Sequence, residues 1–137
     1  MKLEYCADAI ALYENKLVLV ERLNFPKGLA IPGGRRDVID GKLEDVEVCA
    51  IREYKEETGL VLTIEGTLGT YDAPDRDPRG PKISTVVCGT AKGNIRNETG
   101  KTKVLLMNIE DIEKNKDKFA FDHYKILKDW IEIISRA

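Results

Sequence analysis

The chain has 137 residues, 42% hydrophobic and 34% charged, with a formal net charge of −2. That length suits one domain, residues 1–137, around one substantial core. No apolar run reaches the roughly 20 residues of a membrane span, and the charge supplies no general basic field for nucleic acid. Cys6, Cys49 and Cys88 are odd in number and widely spaced, without a C-x-x-C pair, so neither a disulfide framework nor a zinc site is signalled. Met1-Lys2-Leu3-Glu4 runs into Tyr5-Cys6-Ala7-Asp8 without the apolar core of a secretory signal, which leads us to expect a cytoplasmic protein.

Tyr5 to Leu12 and Leu17 to Leu23 alternate as two strands joined by Glu14-Asn15-Lys16, a hairpin-sized connection. Asn24 to Pro32 reads as a loop holding Pro26, Gly28 and Pro32, and it delivers the chain to Gly33-Gly34. The double glycine permits close approach of the backbone to a ligand. Arg35 to Lys42 is polar and reads as a mobile segment. Its Arg35 and Arg36 are either phosphate contacts or, more commonly, solvated charges.

A helix is expected from Leu43 or Glu44 to Thr58, ended by Gly59 in left-handed geometry. Its apolar residues Val46, Val48, Cys49, Ala50, Ile51 and Tyr54 run most of the way round, which predicts packing on more than one side. At about 100° per residue, Glu53 and Glu57 share one side, with Glu56 about 60° from Glu53. Like charges so placed repel by a few tenths of a kcal/mol per pair. Two readings stand level on charge alone: a solvated acidic face, or oxygen ligands for a hard divalent cation such as Mg²⁺. The preceding glycines, and Arg52 placed to hold Glu56 four residues on, favour the second.

Leu60 to Tyr71 reads as a strand broken by Gly66 and Gly69. Ile83 to Ala91 and Lys103 to Asn108 are further strands. Between the first two lies Tyr71-Asp72-Ala73-Pro74-Asp75-Arg76-Asp77-Pro78-Arg79-Gly80-Pro81, a loop stiffened by three prolines. Arginine presents a planar fork suited to phosphate or carboxylate, so Arg76 and Arg79, with Asp77 between them, are substrate candidates. A surface turn with internal Asp–Arg pairs explains the same residues equally well. Asp111 marks a short helix. Asp122 offers an N-cap to a last helix with Leu127, Trp130, Ile131 and Ile134 as its core stripe. His123, the one histidine, reads as a structural hydrogen-bonder.

The stretch from Gly34 to Leu60 resembles the Nudix box, G-x5-E-x7-R-E-U-x-E-E-x-G-U, with U a bulky aliphatic residue. Arg52-Glu53-Tyr54-Lys55-Glu56-Glu57-Thr58-Gly59-Leu60 matches its second half, with Tyr54 at a U position. Glu44 keeps the x7 spacing to Arg52, leaving nine residues after Gly34 where the box has five. Asp40 keeps the spacing from Gly34 instead; Glu44 is preferred. Pro-Asp-Arg-Asp-Pro-Arg-Gly and Phe121-Asp122-His123 look like the ADP-ribose pyrophosphatase branch, although Pro81 stands where relatives usually carry His or Arg.

The resemblance implies an α/β/α sandwich with a mixed β-sheet. It implies a Mg²⁺-dependent hydrolase, with Mn²⁺ as a substitute, that converts ADP-ribose to AMP and ribose 5-phosphate. Glu53 and Glu57 would be the main metal ligands, assisted by Glu56, Glu44 and the Gly34 carbonyl, with Arg52 orienting the acids. Glu98, in the polar loop from Gly93 to Thr102, is the loop candidate for general base. A nucleoside-triphosphate or dinucleoside-polyphosphate hydrolase would share the box, and a non-catalytic ADP-ribose sensor would share the fold. The expected partner is a small nucleotide, without nucleic acid or membrane, and homodimers occur among relatives.

Overall fold

A computed structural model describes residues 2–136, so the two end residues of the expected domain lie outside it. Strands β1 (Glu4–Tyr13) and β2 (Lys16–Arg22) form the expected hairpin. Its turn needs only Glu14 and Asn15, both at positive φ (51° and 65°), a twist that matches the flanking strands.

Four short strands run through the stretch that composition suggested was irregular. β3 (Gly28–Ala30) lies inside the stretch read as loop and pairs with β2, and β4 (Gly33–Arg35) pairs with β1. β5 (Val38–Ile39) and β6 (Lys42–Leu43) form a small hairpin where a mobile segment was expected. Asp40 and Gly41 close it at φ 52° and 76°, the left-handed pair that an Asp-Gly turn supplies.

Helix α1 covers Val46–Thr58 and starts later than expected. The Asp45 carboxylate caps it by accepting the N–H groups of Glu47 and Val48, which leaves Glu44 outside the helix. Gly59 (φ 78°) ends it as foreseen. The helix buries one side, not several: Cys49, Ala50, Tyr54 and Glu57 turn inward while Val48 and Ile51 are exposed.

The chain continues through β7 (Val61–Tyr71), β8 (Lys82–Lys92) and β9 (Thr102–Met107), then two 3-10 turns, Ile109–Asp111 and Glu113–Lys118, and finally α2 (His123–Ser135). The register of β7 against β8 slips between Ile64 and Gly66 and between Thr67 and Gly69, at the two glycines. In α2, Ile126, Leu127 and Trp130 are buried, whereas Ile134 of the expected stripe is exposed.

The sheet runs β3-β2-β1-β8-β7, with β4 also on β1 and β9 also on β2; β1 and β8 are parallel and the other pairs antiparallel. Alternation along β1 divides the core. Ala7, Ala9 and Ala11 face α1 with Val18, Cys49, Ala50 and Tyr54, and these small side chains let the helix lie close. Ile10 faces the other way, with Leu19, Val86, Ile126, Leu127 and Trp130 beneath α2. The expected α/β/α sandwich with a mixed sheet is therefore the fold. Asp8, in register with Ile10, occupies the α2 side of β1 among apolar neighbours.

Candidate active site

Strand β4 places Gly33 opposite Asp8 and Gly34 opposite Ala7. A Cβ on Gly34 would collide with the Glu53 carboxyl, and one on Gly33 would collide with the Asp8 carboxyl and the Ala7 carbonyl. The two glycines thus let an α1 carboxylate lie against strand backbone, the close approach expected of them.

Arg52 gathers the acids. Its Nε and Nη2 donate to the two oxygens of Glu44 at 3.0 and 2.7 Å, and its Nη1 donates to Glu53 Oε1 at 3.0 Å and to Glu56 Oε1 at 3.4 Å. Those bonds from Arg52 hold Glu44 at about 2, well below the usual carboxylate range. Glu44 also accepts the Asp37 N–H. Arg36 donates to the Glu44 carbonyl and Arg35 to Glu4, so both arginines have protein partners. Asp40 sits exposed at the hairpin tip, outside this network.

Glu57 stands apart from Arg52. Its residue is 8% exposed, and its one hydrogen bond among the described residues comes from the Gly33 N–H, at 2.9 Å. Burial pushes its carboxyl up to about 8, against the pull of that amide. Burial raises Glu53 also, with Glu56 adding to the rise. Among the described residues, no three His, Cys, Asp or Glu side chains are drawn together tightly enough to hold a metal ion. The donors nonetheless suit a hard divalent cation: carboxylate oxygens one helical turn apart, beside a glycine backbone, short of positive charge.

Glu57 sits at the waist of a two-lobed cleft, with Glu53 in one lobe; Glu44 and Glu56 line neither lobe. One lobe, about 280 Å³, is lined by Asp8, Arg76, Phe121 and His123; the other, about 340 Å³, by Phe25, Glu53, Glu98 and Lys101. Gly33, Glu57, Arg22 and Arg79 border both. Glu98 therefore shares a lobe with Glu53 and Glu57, its nearest cation being Lys101 at 3.9 Å.

The β7–β8 loop behaves differently. Arg76 is buried, and its Nε and Nη2 donate to Asp122 at 3.0 and 2.8 Å. That carboxylate makes no capping bond to α2, contrary to expectation, because its oxygens are spent on Arg76. Asp77 accepts from Arg79 Nε at 3.1 Å, Nη2 at 2.9 Å and backbone N–H at 2.8 Å. Arg79 lies 5.4 Å from the centre of the Phe121 ring, on which Arg22 also lies at 5.1 Å. The internal Asp–Arg pairing foreseen as the alternative is thus present, while both arginines still line the cleft. His123 is a buried hydrogen-bonder, as read from the sequence.

Asp8, Arg22 and Phe121 were missed as lining residues. Asp8 carried a signal, a charge in register with apolar neighbours. Arg22 and Phe121 are brought to the site by contacts distant in sequence.

A family model described as NUDIX domain matches residues 3–130. The chain is 39% identical over 127 residues to an ADP-ribose pyrophosphatase of Methanocaldococcus jannaschii, covering 90% of this chain and 70% of that protein. A bifunctional NMN adenylyltransferase/ADP ribose pyrophosphatase of Francisella tularensis, complexed with AMP and a Mn ion, matches with TM-score 0.79 and 24% identity over 96% of this chain. This chain spans only 42% of that bifunctional protein. The NUDIX domain of Shewanella oneidensis NrtR, complexed with ADP ribose, matches with TM-score 0.80 and 22% identity, covering 98% of this chain and 90% of that one. At such identities the two structures speak for the fold.

Proposed function

The chain belongs to the Nudix hydrolase family, and on that premise we propose that it hydrolyses ADP-ribose to AMP and ribose 5-phosphate, using Mg²⁺ with Mn²⁺ as a substitute. The observation that carries this reading is the two-lobed cleft with Glu57 at its waist and Glu53 in one lobe. A nucleoside diphosphate linked to a second group has that shape, a charged centre between two uncharged arms. The 39% identity to a protein named ADP-ribose pyrophosphatase supports the choice of substrate.

Bound divalent cations would neutralise the pyrophosphate and lower the pKa of a water. Glu53 and Glu57 would be the main ligands, with Glu56, Glu44 and the Gly34 carbonyl assisting. Arg52 keeps Glu44, Glu53 and Glu56 oriented. Glu98 faces the same lobe and takes the proton of the attacking water. Arg79, steadied by Asp77, borders both lobes and meets the anionic centre of the substrate. Arg76 contributes by shaping the wall through Asp122. The same reading takes residues 1–137 as one Nudix domain, cytoplasmic, without nucleic-acid or membrane partners.

The test is product analysis of purified protein with Mg²⁺ and, separately, ADP-ribose, NADH, dATP and diadenosine polyphosphates. The expected result is the highest kcat/KM for ADP-ribose, with AMP and ribose 5-phosphate in equal amounts. Faster release of pyrophosphate from dATP would replace this reading with a nucleoside-triphosphate hydrolase.

A further inference from the structure

Two buried ionisable side chains, Asp8 and His123, have no part in the chemistry above, yet both bear on the double glycine. His123 opens α2 with its ring turned inward, and its Nδ1 accepts the Ile31 N–H at 2.9 Å. Burial, aided by Arg76, lowers its pKa to about 3, so the imidazole is neutral. A neutral ring that accepts at Nδ1 carries its proton on Nε2, which faces Asp8 Oδ2 at 4.0 Å. Asp8 accepts the Ser84 hydroxyl and sits opposite Gly33 across the β1–β4 ladder. One residue, Pro32, separates Ile31 from Gly33, and the Ala9 N–H pins its carbonyl at 2.9 Å. Gly33 then supplies the single described hydrogen bond of Glu57.

An independent feature points to the same chain of contacts. Phe121 has φ 57°, a conformation uncommon for a bulky residue and sustained where surrounding contacts over-determine it. This turn sends Asp122 to Arg76 and His123 to Ile31, and the Phe121 ring packs on the imidazole with centroids 5.0 Å apart.

We propose that His123 is a positioning residue for Glu57: the imidazole holds the Ile31–Gly33 backbone, whose Gly33 N–H aims the Glu57 carboxylate for a divalent cation. The inference rests on Glu57 as a metal ligand, and the experiment separates the two ideas.

The experiment measures the Mn²⁺ dissociation constant of substrate-free protein for wild type, His123→Asn, His123→Gln and His123→Leu, with thermal melting alongside. Asparagine places an oxygen where Nδ1 stands, glutamine places its amide where Nε2 stands, and leucine offers no acceptor. Positioning through Nδ1 weakens Mn²⁺ binding about tenfold in the Gln and Leu variants, the scale on which supporting residues act. The Asn variant stays within about threefold of wild type. With ADP-ribose, kcat falls in the same order while KM stays nearly constant. Wild-type affinity in folded His123→Leu, or equal weakening in all three variants in step with their melting temperatures, overturns the proposal and leaves His123 a core residue. Absence of Mn²⁺ binding by the wild type, or undiminished binding by Glu57→Gln, overturns the metal reading instead. Should the Gln and Leu variants not fold, the wild type decides, because coupling between sites is reciprocal. Mg²⁺ titration then shifts the Gly33 amide and His123 Nδ1 ¹⁵N resonances with one common midpoint, and an unmoved His123 resonance overturns the proposal.

Discussion

Two arginine-centred clusters border the cleft and balance their charge in opposite ways. At α1, the single guanidinium of Arg52 serves Glu44, just before the helix, with Glu53 and Glu56, and leaves Glu57 without a cationic partner among the described residues. In the β7–β8 loop each arginine has its own carboxylate, Arg76 with Asp122 and Arg79 with Asp77. The first cluster is short of positive charge and keeps Glu57 buried, an arrangement that folding alone does not reward and that a bound cation completes. The second is neutral within itself and suits a shaped wall. Similar side chains thus do different work, and the difference lies in their charge balance.

The largest effect should come from removing the unpaired acid. Glu57→Gln keeps shape and acceptor oxygen but not charge, so turnover of ADP-ribose should fall by orders of magnitude with the fold intact. Steady-state kinetics and circular dichroism check this; near wild-type turnover with Mg²⁺ would break the contrast between the clusters.

The same residue predicts a pH dependence of stability in metal-free protein. The folded Glu57 carboxyl has its pKa raised from 4.5 to about 8 by burial, so the folded state holds the proton more tightly than the unfolded chain. Stability from this group is therefore fully present below about pH 4.5 and is lost as pH rises toward 8. At about 1.4 kcal/mol per pKa unit, the loss is roughly 3–5 kcal/mol. Glu57→Gln cannot titrate, so its stability advantage over wild type, read from urea unfolding, should grow through that window and shrink when Mg²⁺ is added. A constant difference from pH 5 to pH 8 would mean that Glu57 is not ionising in a buried site.

Next in size are the two loop arginines, which should separate stability from catalysis. Arg76→Ala strands Asp122 beside a buried wall and should cost about 3 kcal/mol, the low end for breaking a buried pair. Arg79 is partly exposed, with 41% of its side chain accessible. Its replacement by Ala should leave the melting temperature nearly unchanged and lower kcat/KM for ADP-ribose roughly tenfold to hundredfold, as expected for a lost charge-assisted contact of about 1.5–3 kcal/mol. Lysine should rescue poorly, because an ammonium cannot reproduce the planar fork. If Arg79→Ala changes ADP-ribose and dATP hydrolysis equally and slightly, the loop is a wall at both arginines.

The acid cluster was legible in the sequence because its information is local: spacing on one helix, a glycine stop, and an arginine one turn from a glutamate. The slips in β7 were legible for the same reason, from Gly66 and Gly69. The strands β3, β5 and β6 were not, since two or three residues show no period. Asp40-Gly41 held a turn signal that polar composition obscured. The partners of Arg76 and His123 lie 46 and 92 residues away in sequence, and nothing in either neighbourhood names them. The exposed Val48 and Ile51 misled in the other direction, since apolar residues around a helix need not all be buried.

The smallest effects concern the first acid of the box, where sequence spacing left two candidates. Glu44 is preferred for its x7 spacing to Arg52, on an expected helix from Leu43 or Glu44, yet Glu44 precedes the Asp45 cap and is not helical at all. What joins it to the site is the fork of Arg52, which closes the same distance through space. Glu44 should therefore act mainly by orienting Arg52, and Glu44→Gln, which keeps one acceptor for the fork, should reduce kcat far less than Glu57→Gln. Asp40 stands at the tip of the β5–β6 hairpin in a left-handed turn that asparagine also tolerates. Asp40→Asn should leave kcat, KM and melting temperature within experimental error. Kinetics of both variants at saturating Mg²⁺, and again at limiting Mg²⁺ where a lost ligand shows most, give the order. A larger loss from Asp40→Asn than from Glu44→Gln would put the extra residues on the other side of the acid and return Glu44 to a purely structural pairing with Arg52.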